Sequence, residues 1–179
     1  MENKKKITVI IQARYLSTRF PGKILNKINN KTILEIIIHR ISKSKKINNI
    51  VVACSKNKHD LKIINLCKKL NVNYFVGSEK NVLERFYKSA VNFKAENIMR
   101  ITADCPLLEY KFIDEMVDFY LTHNVDYACN NNPPTYPDGL DLEIISFQTL
   151  KKAHLNARSL YDQEHVTTYI KNDNNLKKI

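Results

Sequence analysis

Between Arg14 and Lys23 the chain gathers three cations (Arg14, Arg19, Lys23), two hydroxyls (Ser17, Thr18) and Gly22. Guanidinium forks and ammonium point charges are natural partners of phosphate oxygens, so this loop suggests a triphosphate ligand. Two commoner phosphate loops are excluded. Neither G-x-x-x-x-G-K-[ST] nor G-x-G-x-x-G occurs, because the glycines are Gly22, Gly77 and Gly139. Side chains, rather than a glycine-rich cradle, must hold the anion. The plainer reading is a solvated loop on a lysine-rich surface. Its position argues against that, because the loop follows an apolar run, Ile7–Ile11, and open α/β sheets bind ligands beyond the carboxyl ends of their strands.

An acidic counterpart lies downstream. In Arg100-Ile101-Thr102-Ala103-Asp104-Cys105-Pro106 an aspartate follows a second apolar run, and proline stops the strand. A carboxylate beside a triphosphate is repelled unless a divalent cation separates them. Mg²⁺ typically takes one or two carboxylates plus substrate phosphates. Asp104 is the first candidate ligand. A second is expected from Asp138-Gly139-Leu140-Asp141-Leu142-Glu143, where strand alternation puts Asp141 and Glu143 on one face. The competing reading makes Asp104 the cap of a helix starting near Tyr110, and Asp141 and Glu143 an exposed strand face.

These residues need a scaffold. Strands are expected at Ile7–Ile11, Ile50–Cys54, Tyr74–Val76, Ile98–Thr102, Tyr127–Cys129 and Leu140–Ile145. Helical periods run through Ile33–Ile41, Leu61–Leu70 and Phe112–Tyr120, with a shorter helix over Val82–Phe93. Strands separated by such helices imply βαβ units and a three-layer, Rossmann-like, mostly parallel α/β sheet. Right-handed crossovers then bring the polar loops to one edge. Residues 130–139, rich in Asn and Pro, read as a surface loop near the site. Residues 1–170 are expected to form a single domain, and 171–179 a frayed polar tail.

Composition narrows the function classes. A chain of 179 residues suffices for one sizeable core. Its net charge of +11 comes mainly from lysines spread along the chain, which favours anionic substrates without a dedicated nucleic-acid surface. Cys54, Cys67, Cys105 and Cys129 have no metal-site spacing, and Cys54 and Cys67 read as small buried hydrophobes. The apolar run after Lys6 is too short for a membrane span or a leader, so a cytoplasmic location is expected.

The stretch Gln12-Ala13-Arg14-x-x-Ser17-Thr18-Arg19-x-Pro21-Gly22-Lys23-x-Leu25 resembles the signature of cytidylyltransferases of the spore coat polysaccharide biosynthesis protein F family. These are relatives of the acylneuraminate and 3-deoxy-manno-octulosonate cytidylyltransferases. Further matches follow in order: Gly77-Ser78-Glu79-x-x-Val82-Leu83-x-Arg85-Phe86, then Arg100-x-Thr102-x-Asp104-Cys105-Pro106-Leu107. Tyr136-Pro137-x-Gly139-Leu140-Asp141-x-Glu143 and Glu164-His165-Val166-Thr167 complete the set.

The resemblance implies the GT-A-like nucleotide-diphospho-sugar transferase fold. It also implies transfer of CMP from CTP to a sugar acid or sugar phosphate with release of pyrophosphate, for glycan or surface polysaccharide synthesis. Arg14, Lys23 and Asp104 would be catalytic. Gln12, Ala13, Ser17, Thr18, Arg19, Gly22 and Thr102 would join Arg14 and Lys23 around the nucleotide, with Gly77 and Arg85 toward its base. Asp104 and Asp141 would bind Mg²⁺, and Glu143 and His165 would face the acceptor sugar. His165 has the alternative of a structural hydrogen bond. The family resemblance also admits a homodimer. Two rival readings are a GT-A glycosyltransferase consuming a nucleotide sugar, which requires a D-x-D motif that Asp104-Cys105-Pro106 does not supply, and a truncated non-catalytic nucleotide-binding module.

Overall fold

The computed structural model describes residues 6–17 and 20–179. In chain order they form β1 (Ile7–Gln12), a small hairpin of β2 (Lys27–Ile28) and β3 (Lys31–Thr32), α1 (Ile33–Ile41), β4 (Asn49–Ser55) and α2 (Leu61–Lys69). Then come β5 (Asn73–Gly77), α3 (Val82–Asn92), β6 (Asn97–Thr102), α4 (Tyr110–His123), β7 (Tyr127–Cys129) and β8 (Glu143–Ser146). The chain closes with α5 (Phe147–Asn156), α6 (Leu160–His165) and α7 (Thr168–Asn172).

Six strands make one sheet in the order β5-β4-β1-β6-β8-β7. β5, β4, β1 and β6 are mutually parallel, β8 runs antiparallel to β6, and β7 antiparallel to β8. Successive β1 side chains enter opposite layers: Ile7, Val9 and Ile11 pack into one core with α1, α2 and α4. Ile10 packs into the other with α3, α5 and α7. Burial on both faces explains why the central strands read as nearly continuous apolar runs. Helix starts are locally specified. Thr32 and Glu35 form a reciprocal capping box at α1, and Ser146 accepts from Thr149 N at α5. Cys54 and Cys67 are buried as expected.

Two expectations are corrected. The strand read from Leu140 begins only at Glu143, because Asn130 captures the preceding backbone: its Nδ2 donates to Leu140 O at 2.9 Å and its Oδ1 accepts from Leu142 N at 2.7 Å. Asp141 therefore lies in a pinned loop, not beside Glu143 on a strand face. Nor is 171–179 frayed. α7 reaches Asn172, and beyond it Asp126 N and Cys129 N donate to the carbonyls of Lys177 and Ile179 at 2.8 and 2.9 Å. Lys178 bridges Tyr127 in parallel. No described helix is long and apolar enough to cross a membrane.

Candidate active site

β1 and β6 are adjacent and parallel, with Gln12 opposite Thr102. The cationic loop and Asp104 therefore leave the sheet side by side. Between them lies a polar cavity of about 350 Å³, lined by Gln12, Arg14, Ser17, Phe20, Lys23, Ile24, Thr102, Ala103 and Asp104. Thr18 and Arg19 fall outside the described residues.

The loop is shaped from below. Ala13 N donates to Ala53 O at 3.1 Å, and Gly22 N closes the turn onto Tyr15 O at 2.7 Å. Gly22 has φ +74, and a Cβ there would lie 3.0 Å from the Tyr15 ring, so the turn requires glycine. Asp60 is the hidden support. Its buried carboxylate accepts from Tyr15 N, Ser55 N and Ser55 Oγ, each at 2.7 Å, tying the loop to the end of β4. An aspartate directly before the α2 stripe has the look of a helix cap, but its side chain makes no cap bond there. Ala13 and Gly22 thus shape the loop from beneath, and neither lines the cavity.

Lys23 Nζ is ion-paired to Asp104 Oδ2 across the cavity, with both side chains about a third exposed (30% and 39%). Burial pushes the Asp104 carboxyl up, but hydrogen bonds from Lys23 and Thr102 outweigh it and hold it below the usual aspartate value. Asp104 does not cap α4, because Glu109 occupies that position. Next to it, Cys105 Sγ lies 3.0 Å from Thr102 Oγ1. Burial raises that thiol, against the hydrogen bond from Thr102, and the charges of Asp104, Asp141 and Asp138 raise it further. Asp141 itself is raised by burial and by Asp138 and Glu143.

Glu143 does not line the cavity. It is 1% exposed, and both oxygens are engaged. Oε1 accepts from Tyr127 Oη at 2.6 Å, Thr167 Oγ1 at 2.9 Å and Lys171 Nζ at 3.1 Å, and Oε2 is ion-paired to Arg100. Burial raises its carboxyl, but Arg100 and Lys171 prevail and bring it down to about 2. The Glu164–Thr167 motif serves this cluster. Val166, with φ 64 and ψ −55, centres a tight turn closed by Thr167 N to His165 O at 2.6 Å. Such γ-turns are strained. This one buries Val166 and delivers Thr167 to Glu143. His165 stays exposed, its ring 4.3 Å from that of Tyr161, and does not line the cavity.

Gly77 and Arg85 are also structural neighbours rather than cavity walls. Arg85 is 1% exposed and donates to Ser78 O at 2.6 Å. A Cβ on Gly77 would come within 2.7 Å of Arg85 Cγ, so glycine there makes room for the arginine stem. Arg100 was missed as a participant. A cation inside the apolar strand I-M-R-I-T must find a partner. Glu143, opposite it in β8, is that partner.

A family model described as "Cytidylyltransferase" matches residues 8–178. An uncharacterized protein of Methanocaldococcus jannaschii is 44% identical over 174 residues, spanning 97% of this chain and 70% of that protein. The spore coat polysaccharide biosynthesis protein SpsF of Bacillus subtilis is 34% identical over 178 residues, spanning 97% and 73%. A 3-deoxy-manno-octulosonate cytidylyltransferase of Geobacter metallireducens is 31% identical over 114 residues, 63% of this chain and 43% of the relative. The solved structure of a cytidylyltransferase from Leptospira borgpetersenii superposes with a TM-score of 0.92 at 34% identity, covering 97% of this chain and 74% of that one.

Proposed function

The chain belongs to the cytidylyltransferase family, and from that premise we propose that it transfers CMP from CTP to a sugar acid or sugar phosphate, releasing pyrophosphate. The observation that carries this reading is the Lys23–Asp104 pair inside a polar cavity that Arg14 also lines. In the ligand-free protein the Lys23 ammonium neutralises Asp104. With CTP bound, the same ammonium and Arg14 are free to hold phosphate oxygens and stabilise charge growing on the leaving pyrophosphate. An oxygen of the acceptor attacks the α-phosphorus, the bond to the β-phosphate oxygen breaks, and pyrophosphate leaves. Positioning and charge neutralisation are the main demands of such a step.

The donor set fits Mg²⁺. Among the described residues no group of three or more His, Cys, Asp or Glu could hold a metal unaided. Asp104 and Asp141 instead offer the one or two carboxylates that Mg²⁺ uses together with substrate phosphates. Asp141, held above the usual aspartate value by burial and like charges, is a group that a cation would relieve. When bound, Mg²⁺ would supply charge neutralisation at the phosphates. As CTP is a cytoplasmic metabolite, the reading places the enzyme in the cytoplasm.

The test incubates the protein and Mg²⁺ with each nucleoside triphosphate against a panel of sugar acids and sugar phosphates, and measures pyrophosphate. CTP-dependent release with one acceptor is expected. Turnover of a preformed nucleotide sugar without pyrophosphate would replace this reading with glycosyl transfer.

A further inference from the structure

The Gln12 carboxamide on the cavity wall is held by one side chain. Arg100 Nε and Nη2 donate to Gln12 Oε1 at 3.3 and 3.1 Å. A guanidinium carries only donors, so an amide facing it must turn its oxygen toward it. The chemistry of the pair thus fixes which end of the carboxamide is which. The Nε2 group, with its two N–H bonds, faces away from Arg100, and among the described residues no hydrogen-bond acceptor takes it up. Arg100 is itself braced. Its Nη1 is ion-paired to Glu143, which Tyr127, Thr167 and Lys171 hold in turn. The register explains the reach: Arg100 sits opposite both Ile10 and Glu143, one pleat short of Gln12 on the same face of the sheet.

Resting on the cytidylyltransferase reading, we propose that Arg100, braced by Glu143, is a positioning residue that turns the Gln12 amide N–H donors into the nucleotide cavity to meet an acceptor atom of the bound nucleotide. Rotating the terminal amide by half a turn would present an oxygen there instead, and Arg100 forbids it. A ligand offering a donor at this point is met by a donor and rejected, which makes the pair a specificity device.

The experiment has two readouts, one without ligand. In ligand-free protein, the ¹⁵N and ¹H resonances of the Gln12 side-chain amide are compared between wild type and Arg100→Lys, which keeps the charge facing Glu143 but removes the fork. They are expected to shift, and unchanged resonances overturn the orientation.

CTP affinity is then measured by calorimetry for wild type, Gln12→Ala, Arg100→Lys and the double variant. Each single change should raise Kd about three- to tenfold, the worth of one hydrogen bond, and the double variant should match Gln12→Ala. Additive losses would mean that Arg100 acts on the fold rather than through Gln12, and would overturn the proposal. Gln12→Asn covers the case in which Arg100→Lys does not fold. It keeps a carboxamide, withdraws it from the guanidinium, and should bind CTP as weakly as Gln12→Ala; wild-type affinity would overturn the proposal. A wild-type protein that binds no CTP while its Gln12 resonances respond to Arg100→Lys overturns the nucleotide reading and retains the orientation.

Discussion

Two ionic groups lie on the same sheet, and they are built in opposite ways. At the carboxyl ends of β1 and β6, Lys23 and Asp104 meet with about a third of each side chain in solvent. One strand over, Glu143 is sealed beneath α7 with Arg100, Lys171, Tyr127 and Thr167, and both of its oxygens are engaged. The charges are of the same kinds. Solvent access and spare coordination separate a pair that can exchange partners for a ligand from a cluster that cannot. A buried carboxylate with both oxygens engaged holds elements together; a half-exposed one with a single ammonium partner can give that partner up.

The sharpest way to break this contrast is to remove one acid from each group. Glu143→Ala leaves Arg100 and Lys171 facing a void. It should lower stability by about 3–5 kcal/mol, the penalty for stranding buried charge. Urea unfolding of the ligand-free protein would measure this, and an unchanged midpoint would erase the distinction. The pH dependence has a definite sign. The Glu143 carboxyl is depressed to about 2 in the folded protein. Its contribution is fully present above the unfolded value of about 4.3 and is lost as pH falls from there toward 2. Glu143→Gln should therefore flatten the acid limb of the stability profile.

Asp104→Asn should do the reverse, leaving the unfolding midpoint almost unmoved while turnover drops about 10²–10³-fold, the scale of a lost charge-stabilising group. EDTA should reproduce the drop. A variant that melts early yet retains activity in EDTA would move Asp104 into the structural class. Lys23→Ala and Arg14→Ala probe the other half of the open pair. Each should weaken CTP binding by about 1.5–3 kcal/mol in calorimetry with the fold intact, as expected for a charge-assisted hydrogen bond.

The smallest effect belongs to Asp141. Its carboxyl is raised by burial and by neighbouring acids, so its charge opposes folding at neutral pH and that opposition fades as pH falls. Asp141→Asn should raise the melting temperature slightly at pH 7 while increasing the Mg²⁺ concentration needed for half-maximal activity. A lower melting temperature together with an unchanged Mg²⁺ requirement would detach Asp141 from the metal.

The same contrast explains what could be read in advance. Central strands such as Val51–Cys54 are apolar on both faces, so their place and type were legible from composition alone. The loop from Arg14 to Lys23 and the turn at Asp104 were legible because solvated charges just after strands need a reason to be there. Contacts between distant segments were not. Glu143 looks like an exposed strand acid until α7 covers it, and Leu140 looks like strand until Asn130 captures its carbonyl. Arg85 carries the charge expected of a ligand-binding group, but the missing side chain at Gly77 lets it sink into the core. Asp60 was hidden for the converse reason, because its place before α2 has a simpler local explanation.

The pairing of Lys177–Ile179 along β7 bears on how this protein meets copies of itself. An unpaired outer strand is a template on which another chain can add a strand of its own, a common route to edge-to-edge aggregation. Here the chain's own last described residues occupy that template beside β7. The opposite border of the sheet is β5. There the side-chain bond from Asn73 to Asn49, at 2.8 Å, turns one amide back toward β4 rather than outward. Among the described residues, strand addition at β7 would have to displace the Lys177–Ile179 segment, whereas β5 is an edge strand on the far side of the sheet from Glu143.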